Sequence, residues 1–207
     1  MKHFWISLLP FLAACGGGDQ QNNAVNNQAD SIHTQINIPP PVKEAPKPPI
    51  INITDTLSVK KTVIYIADSA ATVERLWVKL PEILGFKLDA VIQKNKINIA
   101  GRPMVWYMTQ KPPYFFEAGI PVDKKPARRP AHVKIREMGV DSVTVAHFYG
   151  GYDLLPQAYD ALNDWMKNRK KKLNGRPYEI YVDDTRDKDG KMKDPYKVQT
   201  DVVFPWK

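Results

Sequence analysis

One unit occurs twice in residues 57–207, and this internal repeat restricts the fold more than any other feature of the chain. GRPMVWY at 101–107 recurs 74 residues later as GRPYEIY at 175–181. EAGIP at 117–121 is answered 84 residues later by DVVFP, and TVIYI at 62–66 is answered by SVTVA at 142–146. Three landmarks in the same order predict one pseudo-symmetric domain, with an insertion in the turn-rich stretch 183–190 of the second copy.

Each unit reads as strand, helix, strand, strand. The first has strand patterns near 59–67, 103–109 and 114–122, and the second near 142–149, 177–183 and 196–204. Between the first and second strand of each unit, apolar residues fall at helical spacing. The predicted fold class is α+β: tandem pseudo-twofold βαββ repeats that form a curved, mostly antiparallel sheet, with two helices on one face and a ligand groove on the other. Repeat one is assigned to 57–123 and repeat two to 140–207.

The first 14 residues have the pattern of a secretory signal. A short basic start precedes nine apolar residues, and Leu12-Ala13-Ala14-Cys15 follows. This ending resembles the bacterial lipoprotein box, in which the cysteine is lipidated and becomes the first residue. Cys15 is the only cysteine and its thiol is the nucleophile that the linkage requires. We therefore expect a bilayer as partner through an anchor at Cys15, in the cell envelope of a bacterium; an ordinary cleaved signal is the alternative.

Residues 15–56 have a different composition, dominated by asparagine, glutamine and proline without any aromatic side chain after the cysteine. Such a segment buries too little apolar surface to offset the entropy of ordering. The sequence predicts a disordered tether up to residue 56 and a folded domain from residue 57.

Composition excludes several classes of protein. The longest apolar runs are shorter than the roughly 18 residues that span a bilayer, so a polytopic membrane protein is excluded. A single cysteine excludes an intrachain disulfide, and the four histidines show no metal-binding spacing. No cofactor and no metal site is predicted. The net charge of +8 permits an anionic partner without requiring one.

Two acidic residues occupy equivalent positions in equivalent strands. Glu117 lies in an apolar strand, where a carboxylate is expensive to bury, and Asp201 is its counterpart in repeat two. Facing each other across the pseudo-axis, the two could neutralise a cationic ligand or supply one acid with a raised pKa. Strand alternation could equally place both side chains in solvent.

Aromatic residues are the other candidates for the groove. Tyr107 and Tyr181 end the GRP strands and alternate with Trp106 and Ile180, so that one residue of each pair must face the helices. Tyr149 and Tyr152 flank Gly150-Gly151 at a strand-to-helix turn, which is expected to form one rim. Packing in the sheet core is the alternative for all of these. The predicted ligand-binding residues are Glu117, Asp201, Tyr107, Tyr181, Trp106, Tyr149 and Tyr152.

The segment FYGGYDLL at 148–155, the GRP segment with Tyr181, and Asp201 with Pro205 together resemble the GyrI-like small-molecule-binding family, which includes the effector-binding domains of AraC-type and MerR-type regulators. The resemblance covers about 60–207. It implies two βαββ units with a ligand groove between them. It also implies a lipophilic, often cationic ligand held against an acidic residue among aromatics, and it favours the tyrosines as groove residues.

Three functions are compatible with these observations. The first is a membrane-anchored envelope protein that binds a small hydrophobic, possibly cationic, molecule. The second, implied by hydrolases similar to GyrI-like proteins, is hydrolysis of strained toxin-like molecules by Glu117 with Tyr107 or Tyr181. The third is an envelope interaction protein. The basic runs 124–129 and 167–172 are expected to be solvated or to touch lipid headgroups, and no nucleic-acid partner is predicted. The sequence leaves the oligomeric state open.

Overall fold

The computed structural model describes residues 47–207, so the signal segment 1–14, Cys15 and the tether up to residue 46 lie outside the described residues. The strands, in chain order, are β1 (Ile50–Leu57), β2 (Lys61–Ala70), β3 (Met104–Tyr107), β4 (Tyr114–Val122), β5 (Val133–Met138), β6 (Ser142–Tyr149), β7 (Tyr178–Tyr181) and β8 (Gln199–Trp206). The helices are α1 (Val73–Glu82), α2 (Leu88–Asn95) and α3 (Pro156–Asn168). A π-helical segment, Ile83–Lys87, joins α1 directly to α2.

The predicted α+β fold with two βαββ repeats is confirmed. The strands form one antiparallel sheet in the order β1-β6-β8-β7-β3-β4-β2-β5. Repeat one supplies β3, β4 and β2 to one half, and repeat two supplies β7, β8 and β6 to the other. The halves meet at a short pairing of β3 with β7, in which Val105 lies opposite Glu179. The predicted insertion is the long connection from β7 to β8, which contains a 3-10 turn at Pro195–Lys197.

Each outer edge of the sheet carries a strand that the sequence analysis did not assign. β1 pairs with β6 over eight residues, from Ile50 opposite Tyr149 to Leu57 opposite Ser142. This finding corrects the predicted tether boundary, because residues 50–56 belong to the sheet. β5 lies in the stretch left between the repeats and pairs with β2. Each added strand precedes one repeat in the chain but pairs with the other, so the repeats exchange their leading strands.

Both helical layers cover the same face of the sheet. Thr72 caps α1 through its hydroxyl, which accepts a hydrogen bond from the backbone N–H of Arg75 at 3.4 Å. Leu76 and Leu80 of α1 are buried against β2 and β4. On the other half, Ala158 and Leu162 of α3 pack on β6 and β8. The apolar spacing that predicted the two helices is therefore the spacing of the residues that they bury.

The opposite face of the sheet is filled by its own side chains. Because the sheet is curved, residues of β2, β3, β6, β7 and β8 pack together there without a helix. These residues are Val63, Met104, Trp106, Val143, Val145, Tyr178 and Val203. The prediction that this face holds the groove therefore differs from the structure, and the candidate pocket described below lies on the helix face. All three clusters of buried apolar residues fall within 50–206, so we expect the fragment 47–207 to fold on its own.

Gly119 offers a test of the close packing between β4 and β2. A Cβ at this position would lie 2.8 Å from Val63 Cγ1 and 2.9 Å from the Ile64 carbonyl oxygen, and the backbone oxygen cannot move aside. We expect Gly119→Ala to lower the free energy of unfolding by about 1–3 kcal/mol, as overpacking does in other cores. Gly139→Ala, where nothing lies within 4 Å, is the control and should change it little. Equal urea midpoints for the two variants would contradict this account of Gly119.

Candidate functional site

A pocket opens on the helix face above the junction of the two repeats. Its inner chamber of about 130 Å³ has β3 and β7 as its floor and α1 and the start of α3 as its walls. Aromatic side chains dominate the lining: Trp77, Tyr107, Tyr114, Tyr152, Tyr159 and Tyr181. One acidic side chain, Glu179, lies among them, and the twelve lining residues include no lysine, arginine or histidine.

Glu179 is buried in the middle of β7, with 3% of its surface exposed. Tyr159 of α3 donates a hydrogen bond from its hydroxyl to Glu179 Oε1 at 2.8 Å. Burial raises the pKa of the carboxyl to about 7, although the hydrogen bonds from Tyr159 and Tyr181 favour the charged form. The pocket therefore contains an acid that changes its charge near neutral pH and can be an anion without a cationic partner.

Tyr107 and Tyr181, which occupy equivalent positions in the two repeats, meet at the pseudo-axis. Their hydroxyl oxygens are 3.1 Å apart and share a hydrogen bond. Burial, with the nearby Glu179 carboxylate, raises the pKa of both phenols well above the ordinary value. Both phenols are therefore neutral hydrogen-bonding groups at physiological pH. The pseudo-symmetry is broken beside them, because the counterpart of Glu179 in repeat one is Val105.

Two aromatic rings bridge the gap between the helical layers at the mouth of the pocket. Trp77 of α1 contacts Tyr152 with ring centroids 4.8 Å apart, and Tyr152 lies edge-on to Tyr181 at 6.2 Å. Beyond these rings a second chamber of about 540 Å³ is lined by Pro81, Pro103, Asp183 and Asp184, among others. Trp77, Tyr152 and Tyr181 line both chambers. A ligand that displaced the Trp77 and Tyr152 rings would have access to both.

The structure brings three of the predicted ligand-binding residues together and places the other four on the opposite face of the sheet. Tyr107, Tyr152 and Tyr181 line the pocket, and their role in binding stays a prediction. Glu117 points away from it and binds Arg136, with Glu117 Oε2 and Arg136 Nη2 2.7 Å apart. The same guanidinium lies 4.5 Å from the centroid of the Trp106 ring, so Trp106 and Glu117 share one packed cation.

Asp201 and Tyr149 belong to a polar network on that opposite face. His147 Nδ1 lies 2.8 Å from Asp201 Oδ1, and the Gln199 amide donates to the same oxygen at 2.7 Å. Tyr149 donates its hydroxyl hydrogen to Gln199 Oε1 at 2.6 Å. The predicted meeting of Asp201 with Glu117 is wrong, because Asp201 on β8 and Glu117 on β4 are separated by β7 and β3.

The sequence analysis missed Glu179, although the chain contained a signal for it. Glu179 and Tyr181 are two residues apart in one strand, and alternation puts both on the same face. The argument that a carboxylate is expensive in an apolar strand applies to YEIY at 178–181 as it does to the strand of Glu117. Tyr159 could not be found in this way, because its contact with Glu179 depends on how α3 lies across the sheet.

Two further searches cover residues 47–207. Within this range, no group of three histidine, cysteine, aspartate or glutamate side chains is arranged to hold a metal ion. No helix of the described part has the length and apolar character needed to cross a membrane.

The architecture is consistent with the GyrI-like fold, and solved structures of similar fold are known. No protein-family model and no curated protein sequence matches the chain. The crystal structure of the EcmrR C-terminal domain matches with a TM-score of 0.64 at 15% identity, over 76% of this chain and 98% of that one. The EcmrR chain in its DNA complex matches with the same score and identity, and there the alignment covers only 57% of the EcmrR chain. A hydrolase from Listeria innocua matches with a TM-score of 0.51 at 11% identity, over 79% of this chain and 94% of that one.

Proposed function

We propose that this domain binds a small lipophilic cation in the aromatic pocket, with the Glu179 carboxylate as its counter-charge. The observation that carries the proposal is an acid buried among aromatic rings with hydroxyl groups as its hydrogen-bond partners. An ionised carboxylate in such a place is costly until a cation lies beside it. The surrounding rings supply apolar contact and can attract the cation through their faces.

Size also supports a ligand that occupies both chambers. The inner chamber of about 130 Å³ accepts one ring-sized group, whereas ligand sites are commonly 300–1,000 Å³. The outer chamber of about 540 Å³ brings the total into that range. The Asp183 and Asp184 side chains beside it add negative charge on the path of an entering cation.

We further propose that the domain works in a bacterial cell envelope, held at a membrane by a lipid on Cys15. The support for this part is the lipoprotein-box pattern at residues 12–15. In that setting the pocket would sequester or sense lipophilic cations that reach the membrane. Mass spectrometry of the mature protein from a bacterial host tests it: the expected product begins at Cys15 with acyl chains attached, and an unlipidated product with another N-terminus would contradict it.

Binding is tested with two probes of the same shape and opposite charge, tetraphenylphosphonium and tetraphenylborate. By calorimetry at pH 8, we expect fragment 47–207 to bind the cation and to bind the anion far more weakly. Glu179→Gln should weaken binding of the cation by about 30-fold or more, as loss of one partner of a buried charge pair does. Because Glu179 must be ionised, the cation should also bind more weakly at pH 6 than at pH 8, with proton release on binding.

Glu117→Gln is the matched control, because it removes one carboxylate charge from the opposite face of the sheet. It should leave the affinity for tetraphenylphosphonium within about twofold of the wild-type value, provided that circular dichroism shows a folded variant. Equal affinity for the two probes would contradict the proposal, and so would equal losses in the Glu179 and Glu117 variants.

Hydrolysis is a second candidate, and Glu179 is also the observation that favours it. The predicted combination of Glu117 with Tyr107 or Tyr181 does not assemble, because Glu117 lies on the other face. An acid with a pKa of about 7 beside neutral phenols could instead transfer a proton at neutral pH. A reactive cyclopropane substrate incubated with the fragment distinguishes the two: turnover that is lost in Glu179→Gln would indicate an enzyme.

A further inference from the structure

One end of the sheet brings together both connections between the exchanged strands. The connection from β1 to β2, residues 58–60, contacts the connection from β5 to β6, residues 139–141. The Ser58 backbone N–H donates to the Asp141 carbonyl oxygen at 2.8 Å, and the Asp141 backbone N–H donates to Ser58 Oγ at 2.9 Å. We call this the crossover end. The C-termini of α2 and α3 and the chain terminus reach the same end.

Aliphatic side chains are exposed in pairs at the crossover end. Val59 and Val140 occupy the two crossing connections and are 68% and 62% exposed. Ile99 and Leu173, which are equivalent in the two repeats, form bridges to the last residues of β4 and β8 and are also exposed. Leu57 adds a fifth exposed side chain. Several aliphatic residues that project from tight turns at one pole form an apolar patch of the kind that marks an interaction surface.

The same pole is strongly basic. The loops of the crossover end, residues 58–61, 96–102, 123–125, 137–141 and 169–176, carry eleven lysine or arginine side chains and three acidic ones. The described loops of the opposite end, residues 47–49, 71–72, 108–113, 150–151 and 182–198, carry seven basic and five acidic side chains. The domain is therefore polarised along its strands, with most of its excess positive charge around the apolar patch.

We propose that the crossover end binds the surface of an anionic lipid bilayer. Short aliphatic side chains projecting from a ring of lysines can enter the headgroup region while the ammonium groups contact lipid phosphates. A second copy of this chain fits the surface less well, because two crossover ends would bring like charges together. The inference is independent of the ligand pocket, and it concerns the folded domain whether or not Cys15 carries a lipid.

This orientation has a consequence for the pocket. Tyr107, Tyr114 and Tyr181 lie at the opposite ends of their strands, and Tyr152 follows the last residue of β6. The eight residues of β6 span about 26 Å. With the crossover end on the bilayer, the pocket mouth is held on the water side, open to ligands in solution.

Vesicle binding by fragment 47–207 tests the proposal. We expect co-sedimentation with vesicles of phosphatidylcholine that contain phosphatidylglycerol, weak binding to phosphatidylcholine alone, and release as the salt concentration rises. The double variant Lys60→Gln, Lys172→Gln should bind about 25-fold more weakly, roughly fivefold for each lysine. The double variant Val59→Asp, Val140→Asp should lose at least as much.

Matched controls are available elsewhere on the surface. Lys188→Gln with Lys191→Gln removes two exposed charges from the opposite end, and Val78→Asp changes a side chain on α1 that is 67% exposed. Both should bind vesicles like the wild type. The proposal is overturned if the fragment fails to bind anionic vesicles or if the control lysines matter as much as Lys60 and Lys172. It is also overturned if sedimentation shows a dimer that the Val59, Val140 variant abolishes, since the patch is then an interface between copies.

Discussion

Glu179→Gln is expected to raise the free energy of unfolding at pH 8 by about 3 kcal/mol and to change it little at pH 4. Burial holds the pKa of Glu179 in the folded protein at about 7, whereas the ordinary value for glutamate is 4.5. Each pKa unit corresponds to 1.36 kcal/mol, so the ionised carboxylate destabilises the folded state by about this amount. Glutamine keeps the shape and the acceptor oxygen without the charge.

The sign of the pH dependence follows from proton binding. Between roughly pH 4.5 and 7 the folded state retains a proton on Glu179 that the unfolded state has released. The contribution of this group to stability is therefore complete below pH 4.5, falls as the pH rises through 7, and stays lost above that. The carboxyls of Asp55 and Asp68, whose pKa values are lowered, give the opposite slope at lower pH. Their effect is common to both proteins and cancels in the difference.

Urea unfolding from pH 4 to pH 9 measures that difference without ligand. The difference between the variant and the wild type should grow across the interval from pH 4.5 to 7 and then level off. Glu117→Gln is the control of opposite sign: it breaks the ion pair with Arg136 and should destabilise the protein at pH 8. A difference for Glu179→Gln that is the same at pH 4 and pH 8 would show that its carboxyl is not held neutral by burial.

The repeat made the centre of the fold predictable, because each βαββ unit is built from patterns local in sequence. Period-2 strands and the helical spacing of Leu76, Leu80 and Leu162 are read from neighbouring residues, and the structure buries those positions. The outer strands were not predictable in this way. Ile50–Leu57 pairs with a strand some ninety residues away, and its polar composition resembles that of the tether before it.

The site was predictable only as far as strand alternation reaches. Alternation correctly put Tyr107 and Trp106 on opposite faces, but it could not say which face holds the pocket. That choice depends on the curvature of the whole sheet, which closes the face of Trp106 and Tyr178 on itself and leaves a gap between α1 and α3. Glu117 was assigned to the wrong face for the same reason. Its partner Arg136 lies in β5, a strand that the sequence pattern did not reveal.

A chain that begins at Ser58 is expected to lose cooperative folding, because β1 completes the half of the sheet built by repeat two. Ile51 and Ile53 pack against the residues that α3 buries. Asp55 accepts hydrogen bonds from Thr144 Oγ1 and Lys171 Nζ, each at 2.6 Å, and Thr144 is fully buried. Removal of β1 leaves these donors and the edge of β6 unpaired. We expect a loss of at least about 5 kcal/mol, which is comparable with the total stability of a domain.

Thermal unfolding of fragments 47–207 and 58–207, followed by circular dichroism, measures this effect. The longer fragment should unfold in one sharp transition, and the shorter one should show none or should aggregate through the free edge of β6. A synthetic peptide of residues 47–59 should restore the transition when added to the shorter fragment. A peptide with Ile51→Asp and Ile53→Asp should fail, whereas Asn52→Asp, on the exposed face of the strand, should still restore it. Because successive side chains of a strand point to opposite faces, this contrast tests the register of β1 on β6. A cooperative transition of fragment 58–207 within a few degrees of the longer one would show that repeat two is complete without its exchanged strand.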